Sequence, residues 1–248
     1  HKLDHIDMVD QAEMPQVLRA VNAIQATAWK VNQPVLEVMR QVWNGGGSLG
    51  GLPSRDDTPL PAKPSDIDRN EAALADWKRR AEAVHRENAK RKGKRISFLQ
   101  KLSVAEKLAA YPAVYFPHSL DWRGRCYPIP KGGPEPQGND IARSLLTFAN
   151  GMPLGPTGGR WLAIHLANQF GVDKVSFEER ISWVEKHQDA ILDSAADPLD
   201  GQRFWSRADN PWQALAACFE WAGYVAEGET FVSHLPIALD GSNSGPQH

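Results

Sequence analysis

The sequence has little cysteine, no long apolar run and no overall excess of one charge. Its two cysteines, Cys126 and Cys218, lie far apart without a metal-ligand spacing, so neither a disulfide framework nor a zinc site is expected. No apolar stretch approaches the roughly 20 residues that a membrane-spanning helix needs, so we expect no membrane span. The first residues lack the features of a secretory signal and do not begin with Met, which indicates an internal cut.

What remains is the composition of an ordinary globular protein. The chain has 248 residues, of which 42% are hydrophobic and 23% charged. This length suits one large domain or two smaller ones. The patterns described next predict a mainly α fold with short antiparallel β segments, in the α+β class.

The charge is unevenly distributed along the chain. The formal net charge is only -2, yet the segment from Lys78 to Lys101 contains ten basic and two acidic residues. All other positions together carry a net charge of about -10 by the same count. Because of this segregation, the near-zero total charge does not argue against a polyanionic partner for the basic segment.

Periodicity and turn residues divide the chain into segments. A helix is predicted from Met14 towards Trp43, a loop at 45–64 and a second helix at about 67–91, capped by Ser65 or Asp66 and broken at Gly93. The rest predicts a helical stretch at 103–110, strands and turns at 113–129, a loop at 131–140, helices at 141–148, 159–170, 177–190 and 212–227, and an apolar strand at 234–239. We place one domain boundary near residue 112.

The second helix carries the basic segment in its carboxyl-terminal half. Phosphate contacts from such a helix would give affinity for nucleic acid without sequence preference. The candidate residues are Lys90, Arg91, Lys92, Lys94 and Arg95. A solvated surface helix explains the same composition equally well, so both interpretations stay open.

A second candidate lies in the segment DWRGRCY. If it is extended, Arg123 and Arg125 project from one face and can bind phosphate or carboxylate groups, while Gly124 allows a close approach. Asp121 can hold one of these arginines. A surface salt bridge beside a turn is the alternative.

Three other charged residues are weaker candidates. Arg143 and Lys174 lie in otherwise apolar surroundings that we expect to be helical, where each can bind a polyphosphate or be a routine surface charge. Asp240 ends the predicted last strand, and with the carbonyl of Gly241 it can hold a hard divalent cation. Asp-Gly after a strand is also a common hairpin turn.

Together and in this order, these motifs resemble the single-subunit DNA-directed RNA polymerases of bacteriophages and organelles. The resemblance extends from Met14 to His248 and is carried by FPHSLDWRGRCY, PQGNDIARSLLTFANG, GVDKVSFEERI and LPIALDGSNSGPQH. It implies that residues 1–112 form a helical amino-terminal and thumb region. It implies that residues 113–248 form the first part of the palm, with a helical insert and the motif around Asp240.

The resemblance also implies roles for individual residues. Asp240 is then the catalytic carboxylate and, with Gly241, a ligand of two Mg²⁺ ions. Gly245 leaves room for a ribose 2′-hydroxyl. The implied contacts are Tyr127, Arg143 and Lys174 to substrate, and Arg123, Gly124 and Arg125 to template and hybrid.

The implied activity is template-dependent transfer of ribonucleoside monophosphates to an RNA 3′ end. Its partners are a DNA template, the RNA transcript and ribonucleoside triphosphates, without a membrane, in a monomeric enzyme acting in the cytoplasm of an infected bacterium. The family's second catalytic aspartate and nucleotide-binding helix have no counterpart here, so the chain is expected to be an inactive fragment. Pro246 departs from the aliphatic residue of the relatives. The alternative is a non-catalytic helical nucleic-acid-binding module in which Asp240 is only a turn residue.

Overall fold

The computed structural model describes residues 13–121 and 123–238. In the amino-terminal part the elements are α1 (Pro15–Gln25), β1 (Trp29–Val31), α2 (Gln33–Asn44) and α3 (Glu71–Leu108). After these come β2 (His118–Leu120), β3 (Cys126–Pro128), α4 (Asp140–Ser144), β4 (Leu146–Phe148), β5 (Met152–Pro153), α5 (Gly155–Gln169), α6 (Phe177–Lys186), α7 (Gln188–Ala196), α8 (Pro211–Glu227) and β6 (Val232–Ser233). Short 3-10 turns lie at Phe204–Arg207 and Gly228–Thr230.

The fold is mainly α with short antiparallel strands, as the sequence predicted. Within the described ranges the strands form three two-stranded sheets, which pair β1 with β4, β2 with β3, and β5 with β6. No helix in these ranges combines the length and apolar character that crossing a membrane requires.

The first predicted helix is wrong because it is two helices separated by a strand. Trp29–Val31 pairs with Leu146–Phe148, more than a hundred residues later in the chain. Asn32 then caps α2, its side chain accepting a hydrogen bond from the Val35 amide at 3.4 Å. A local periodicity cannot reveal a strand whose partner is so distant.

The second predicted helix is also wrong in its limits, because α3 runs unbroken for 38 residues and includes residues 103–108 of the stretch predicted at 103–110. Its cap is Asn70, whose side chain accepts a hydrogen bond from the Ala73 amide at 3.1 Å. Gly93 does not break it. A glycine in a helix interior costs only about 1 kcal/mol, which a long helix packed at both ends offsets.

Several boundaries in the carboxyl-terminal half also differ from prediction. The segment 141–148 is a short helix followed by a strand, and 177–190 is divided at His187 into α6 and α7. The strand predicted at 234–239 is absent from the described residues 234–238; the strand pair formed here, by Val232–Ser233, ends before them. Pro236 has no amide hydrogen to donate, so it cannot extend such a pair.

The core brings together both sides of residue 112. One cluster of buried side chains includes Val35 and Phe98 from the first part and Leu162, Trp205 and Leu215 from the second. The loop between α2 and α3 joins this core, since the Trp212 indole donates a hydrogen bond to the Gly50 carbonyl at 2.8 Å. The division at residue 112 remains a prediction.

Candidate nucleic-acid and substrate site

Asp121, Arg123, Gly124 and Arg125 lie at the turn of the β2–β3 hairpin, in which Leu120 pairs with Cys126. Gly124 has φ +79°, a conformation that favours glycine. Our expectation that Arg123 and Arg125 alternate on an extended strand is therefore wrong, because the chain reverses between them. The glycine serves this reversal.

Asp121 organises the turn from inside. Its Oδ1 atom accepts hydrogen bonds from the backbone amides of Arg123 and Arg125 at 2.9 and 3.0 Å, and its Oδ2 atom accepts from Arg123 Nη2 at 2.8 Å. The Arg125 amide, followed by the Arg123 side chain, lowers the pKa of Asp121. The same pairing raises the pKa of Arg123. Asp121 thus holds one arginine, as predicted, in the surface salt bridge beside a turn that was the alternative interpretation of this segment. The Arg123 side chain is positioned before any ligand arrives.

Tyr127 follows on β3 and lies beside this arginine. Arg123 Nη2 is 3.5 Å from the Tyr127 hydroxyl, and the tyrosine is exposed. The hairpin therefore presents a cation and an aromatic hydroxyl together on one exposed surface.

The five candidate basic residues of α3 divide into two groups, those bonded to the preceding loop and those exposed to solvent. Arg91 donates hydrogen bonds to the Asp56 carbonyl at 3.2 Å and to Thr58 Oγ1 at 3.0 Å. Arg95 donates to the Arg55 carbonyl at 2.7 Å and forms an ion pair with Asp57. These two arginines attach the loop between α2 and α3 to the helix, a structural role that the sequence did not indicate.

The lysines of the same segment face solvent. Lys90, Lys92 and Lys94 are exposed. Lys94 also borders a cleft of about 400 Å³ with Lys101, facing Asn139 across it. Among the five candidate residues of this helix, the exposed lysines are therefore the ones available to a polyanion.

Arg143 lies on α4, which is held against α8 by a neighbouring carboxylate. Asp140 accepts hydrogen bonds from the backbone amides of Trp212 at 2.9 Å and Gln213 at 3.0 Å, and from Gln213 Nε2 at 3.2 Å. The cap residue of α8, Asn210, makes no side-chain cap of its own. Asp140 replaces it from outside the helix, and burial raises the pKa of Asp140 despite these bonds.

Arg143 lines a cavity of about 260 Å³ together with His165 of α5 and the residues 235–238. This last segment leads directly towards Asp240 in the sequence. The cavity therefore brings a predicted substrate residue close to the chain that precedes the predicted metal ligand.

Lys174 is not helical, contrary to our expectation, but lies in the loop between α5 and α6. Its side chain is 88% exposed and forms an ion pair with Asp173 at 3.0 Å. The lysine lowers the pKa of Asp173. Lys174 does not line the Arg143 cavity.

Three predicted residues, Asp240, Gly241 and Gly245, lie outside the described residues, as does Pro246. Within the described ranges no group of three or more His, Cys, Asp or Glu side chains is arranged to hold a metal ion. The roles of all the site residues remain predictions.

Sequence reasoning missed Asp140 and His165. An acidic residue just before a helix is usually a local cap, and nothing in the sequence shows that Asp140 caps a helix 70 residues away. The sequence does contain an indication of His165. It and Gln169 are polar residues one helical turn apart in the apolar run WLAIHLANQF, a spacing that predicts a buried polar pair.

Comparison with known proteins shows what the chain is similar to. A family model described as DNA-dependent RNA polymerase matches residues 152–248. The chain is also 47% identical over 236 residues, 95% of its length, to the DNA-directed RNA polymerase of Enterobacteria phage T3. Over this length the chain is similar to the phage-type single-subunit RNA polymerases.

Other relatives come from a phage and from a plant. T7 RNA polymerase of Escherichia phage T7 is 44% identical over 95% of the chain. DNA-directed RNA polymerase 2B, chloroplastic/mitochondrial, of Nicotiana tabacum is 42% identical over 95% of the chain. The chain covers 26% of the T3 and T7 proteins and 23% of the tobacco protein, so it spans about a quarter of their length.

Proposed function

We propose that this chain supplies part of a DNA-directed RNA polymerase, contributing surfaces that bind nucleic acid and part of the catalytic centre. The observation that carries the proposal is the similarity to proteins of that name over 95% of the chain. In this proposal residues 1–112 are the helical amino-terminal and thumb region, and residues 113–248 begin the palm.

Asp240 and Gly241 are the proposed metal-binding residues. A carboxylate and a backbone carbonyl are hard oxygen donors, the type that Mg²⁺ prefers. When bound, two Mg²⁺ ions would activate the RNA 3′-hydroxyl and neutralise the triphosphate. Gly245, without a side chain, would leave space for the ribose 2′-hydroxyl.

The described residues would bind the charged parts of template, transcript and triphosphate. Arg123, held by Asp121, and the neighbouring Arg125 would contact the nucleic-acid backbone beside Tyr127. A pre-positioned guanidinium loses less conformational entropy on binding than a mobile one. Arg143 and Lys174 would contact phosphate groups of the substrate.

The cellular setting is a further part of the proposal, supported by the phage relatives. The T3 and T7 relatives belong to phages and support action in the cytoplasm of an infected bacterium, whereas the tobacco relative carries an organellar name. The complete enzyme is proposed to be monomeric.

The proposal is tested by Asp240→Ala in the complete polymerase. Template-dependent incorporation of labelled UTP should be abolished, while promoter affinity in a gel-shift assay should be largely retained, because metal chemistry and DNA binding use different groups. Promoter affinity that fell in parallel with synthesis would give Asp240 a structural role. The 248-residue chain alone should incorporate no UTP, and incorporation that Asp240→Ala removes would contradict this.

A second test concerns the exposed lysines of α3 and, through them, the alternative that the protein is a non-catalytic binding module. Replacing Lys90, Lys92 and Lys94 with Gln should weaken binding to any duplex, and should flatten the dependence of log K on log salt by up to about 0.9 for each phosphate that these lysines neutralise. Arg91 and Arg95 are left intact because they hold the adjacent loop. If the slope does not change, these lysines are solvated surface residues. Salt-dependent binding in a complete protein without UTP incorporation would favour the binding module.

Sugar selection provides a third test. In the complete enzyme, Gly245→Glu should reduce kcat/KM for ATP far more than for dATP, because the carboxylate would occupy the space of the 2′-hydroxyl. Equal losses for the two nucleotides would mean that Gly245 serves the backbone and does not select the sugar.

A further inference from the structure

The cavity beside Arg143 contains a buried histidine that the sequence did not mark as a site residue. His165 is only 2% exposed and lies on α5, facing the segment 235–238 across the cavity. Its Nδ1 atom has no hydrogen-bond partner among the described residues. A buried polar atom without a partner is costly, so its presence in a cavity wall points to a role in binding a ligand.

The neighbouring glutamine determines which ring nitrogen carries the proton. Gln169 Nε2 lies 3.4 Å from His165 Nε2. With the Gln169 amide in this orientation its nitrogen donates, so His165 Nε2 accepts this bond and Gln169 Oε1 is left without a partner among the described residues. Burial, and then the charge of Arg143, lower the pKa of His165 to about 4, so the ring is neutral and its single proton lies on Nδ1. His165 Nδ1 is therefore an unpartnered hydrogen-bond donor on a residue that lines the cavity.

Arg143 supplies a second buried donor atom that has no hydrogen-bond partner among the described residues. This atom is its Nε. The other polar side chains of the cavity are engaged, since Ser144 Oγ donates to the Ile141 carbonyl at 3.1 Å and Gln213 Nε2 donates to Asp140 at 3.2 Å. The acid on the same helix, Asp140, accepts hydrogen bonds from the first turn of α8.

We propose that Arg143 and His165 together bind one phosphate oxygen in this cavity, with His165 Nδ1 donating the second hydrogen bond. Two unpartnered donors and a permanent positive charge select an oxyanion and disfavour a metal cation. The inference deepens the proposed function and rests on it, because it names His165 as a partner of a predicted substrate residue. The phosphate can belong to a nucleoside triphosphate or to the backbone of an RNA strand.

Calorimetry on the 248-residue chain tests this with two probes, pyrophosphate and a short oligoribonucleotide. His165→Phe should weaken binding roughly ten- to a hundredfold, the effect of removing a hydrogen bond to a charged group. His165→Asn, whose amide can replace Nδ1–H, should retain most of the affinity. Arg160→Gln is the matched control, because this exposed arginine of α5 pairs with Glu178 and should leave affinity unchanged.

The outcomes separate this inference from the proposed function. Preference for pyrophosphate would assign the site to the triphosphate, and preference for the oligonucleotide would assign it to the RNA backbone. Binding that Arg143→Gln weakens and His165→Phe does not would overturn the role of His165. No affinity for either probe would also overturn it, whereas the proposed function depends on the Asp240→Ala assay.

A spectroscopic measurement tests the donor directly. Side-chain ¹⁵N spectra should show His165 protonated at Nδ1 at neutral pH, and the Nδ1 signal should shift when the preferred probe is added. This measurement uses the wild-type chain, so it does not depend on whether the His165 variants fold. A proton on Nε2 would contradict the assignment of Nδ1 as the donor.

Discussion

Replacing Asp140 with Ala should destabilise the chain more than removal of an ordinary surface carboxylate. The carboxylate accepts three hydrogen bonds from Trp212 and Gln213, and its removal leaves the first turn of α8 without a cap. Loss of a cap costs about 0.5–2 kcal/mol, and each buried donor left unpaired adds about 1–3 kcal/mol. We expect the free energy of unfolding to fall by about 2–4 kcal/mol in total, measured by urea titration with tryptophan fluorescence.

Two variants control this experiment. Asp189→Ala removes a carboxylate from the first turn of α7 and should cost less than about 1 kcal/mol, the value of a helix-dipole interaction. Asp140→Asn retains one acceptor oxygen and should give an intermediate decrease. If Asp140→Ala and Asp189→Ala cost the same, Asp140 does not support α8 and the argument from its hydrogen bonds fails.

The raised pKa of Asp140 predicts the direction in which the stability of the chain changes with pH. Burial raises the pKa of Asp140 above its ordinary value of 3.8, so the folded chain keeps this proton at pH values where the unfolded chain has released it. The stability of the wild-type chain relative to Asp140→Asn should therefore fall as the pH rises from about 3.8 through the raised folded pKa. A difference that stays constant or grows over this range would refute the direction.

Two further predictions concern glycine packing and the attached loop. Gly159→Ala would place a methyl group against the Tyr224 ring and should destabilise by about 1–3 kcal/mol, whereas Gly93→Ala meets nothing within 4 Å and should stabilise by about 0.5–1 kcal/mol. Thermal unfolding checks both signs, and a stable Gly159→Ala would show that the helices can separate without cost. Arg95→Ala should release the loop before α3 and accelerate its cleavage in limited proteolysis, with Lys92→Ala as control. Equal cleavage of the two variants would show that Arg95 does not hold the loop.

The sequence predicted features that depend on neighbouring residues. The fold class, the helix that begins at Pro211 and the hold of Asp121 on an arginine all follow from local patterns, and the structure confirms them. The limits of α3 were missed because a glycine is only a weak helix breaker when tertiary packing supports the helix.

Long-range contacts account for the remaining errors. The split between α1 and α2 depends on pairing with Leu146–Phe148, and the role of Asp140 depends on a helix that begins at Pro211. The two groups of basic residues on α3 became visible only when the loop was placed against Arg91 and Arg95. Composition gives the net charge of such a helix, but its contacts with the rest of the chain determine which basic side chains are available to bind a polyanion.

The hydrogen bond from the Trp212 indole to the Gly50 carbonyl has a consequence for synthesis of the protein. Its partners are 162 residues apart, so a ribosome must add that many residues after Gly50 before the bond can form. At about 5–20 residues per second, this takes roughly 8–30 s. During this interval the buried face of α2 lacks its partners from α8, so the nascent chain exposes apolar surface that chaperones recognise. Slow translation between these two residues should therefore lower the yield of soluble protein.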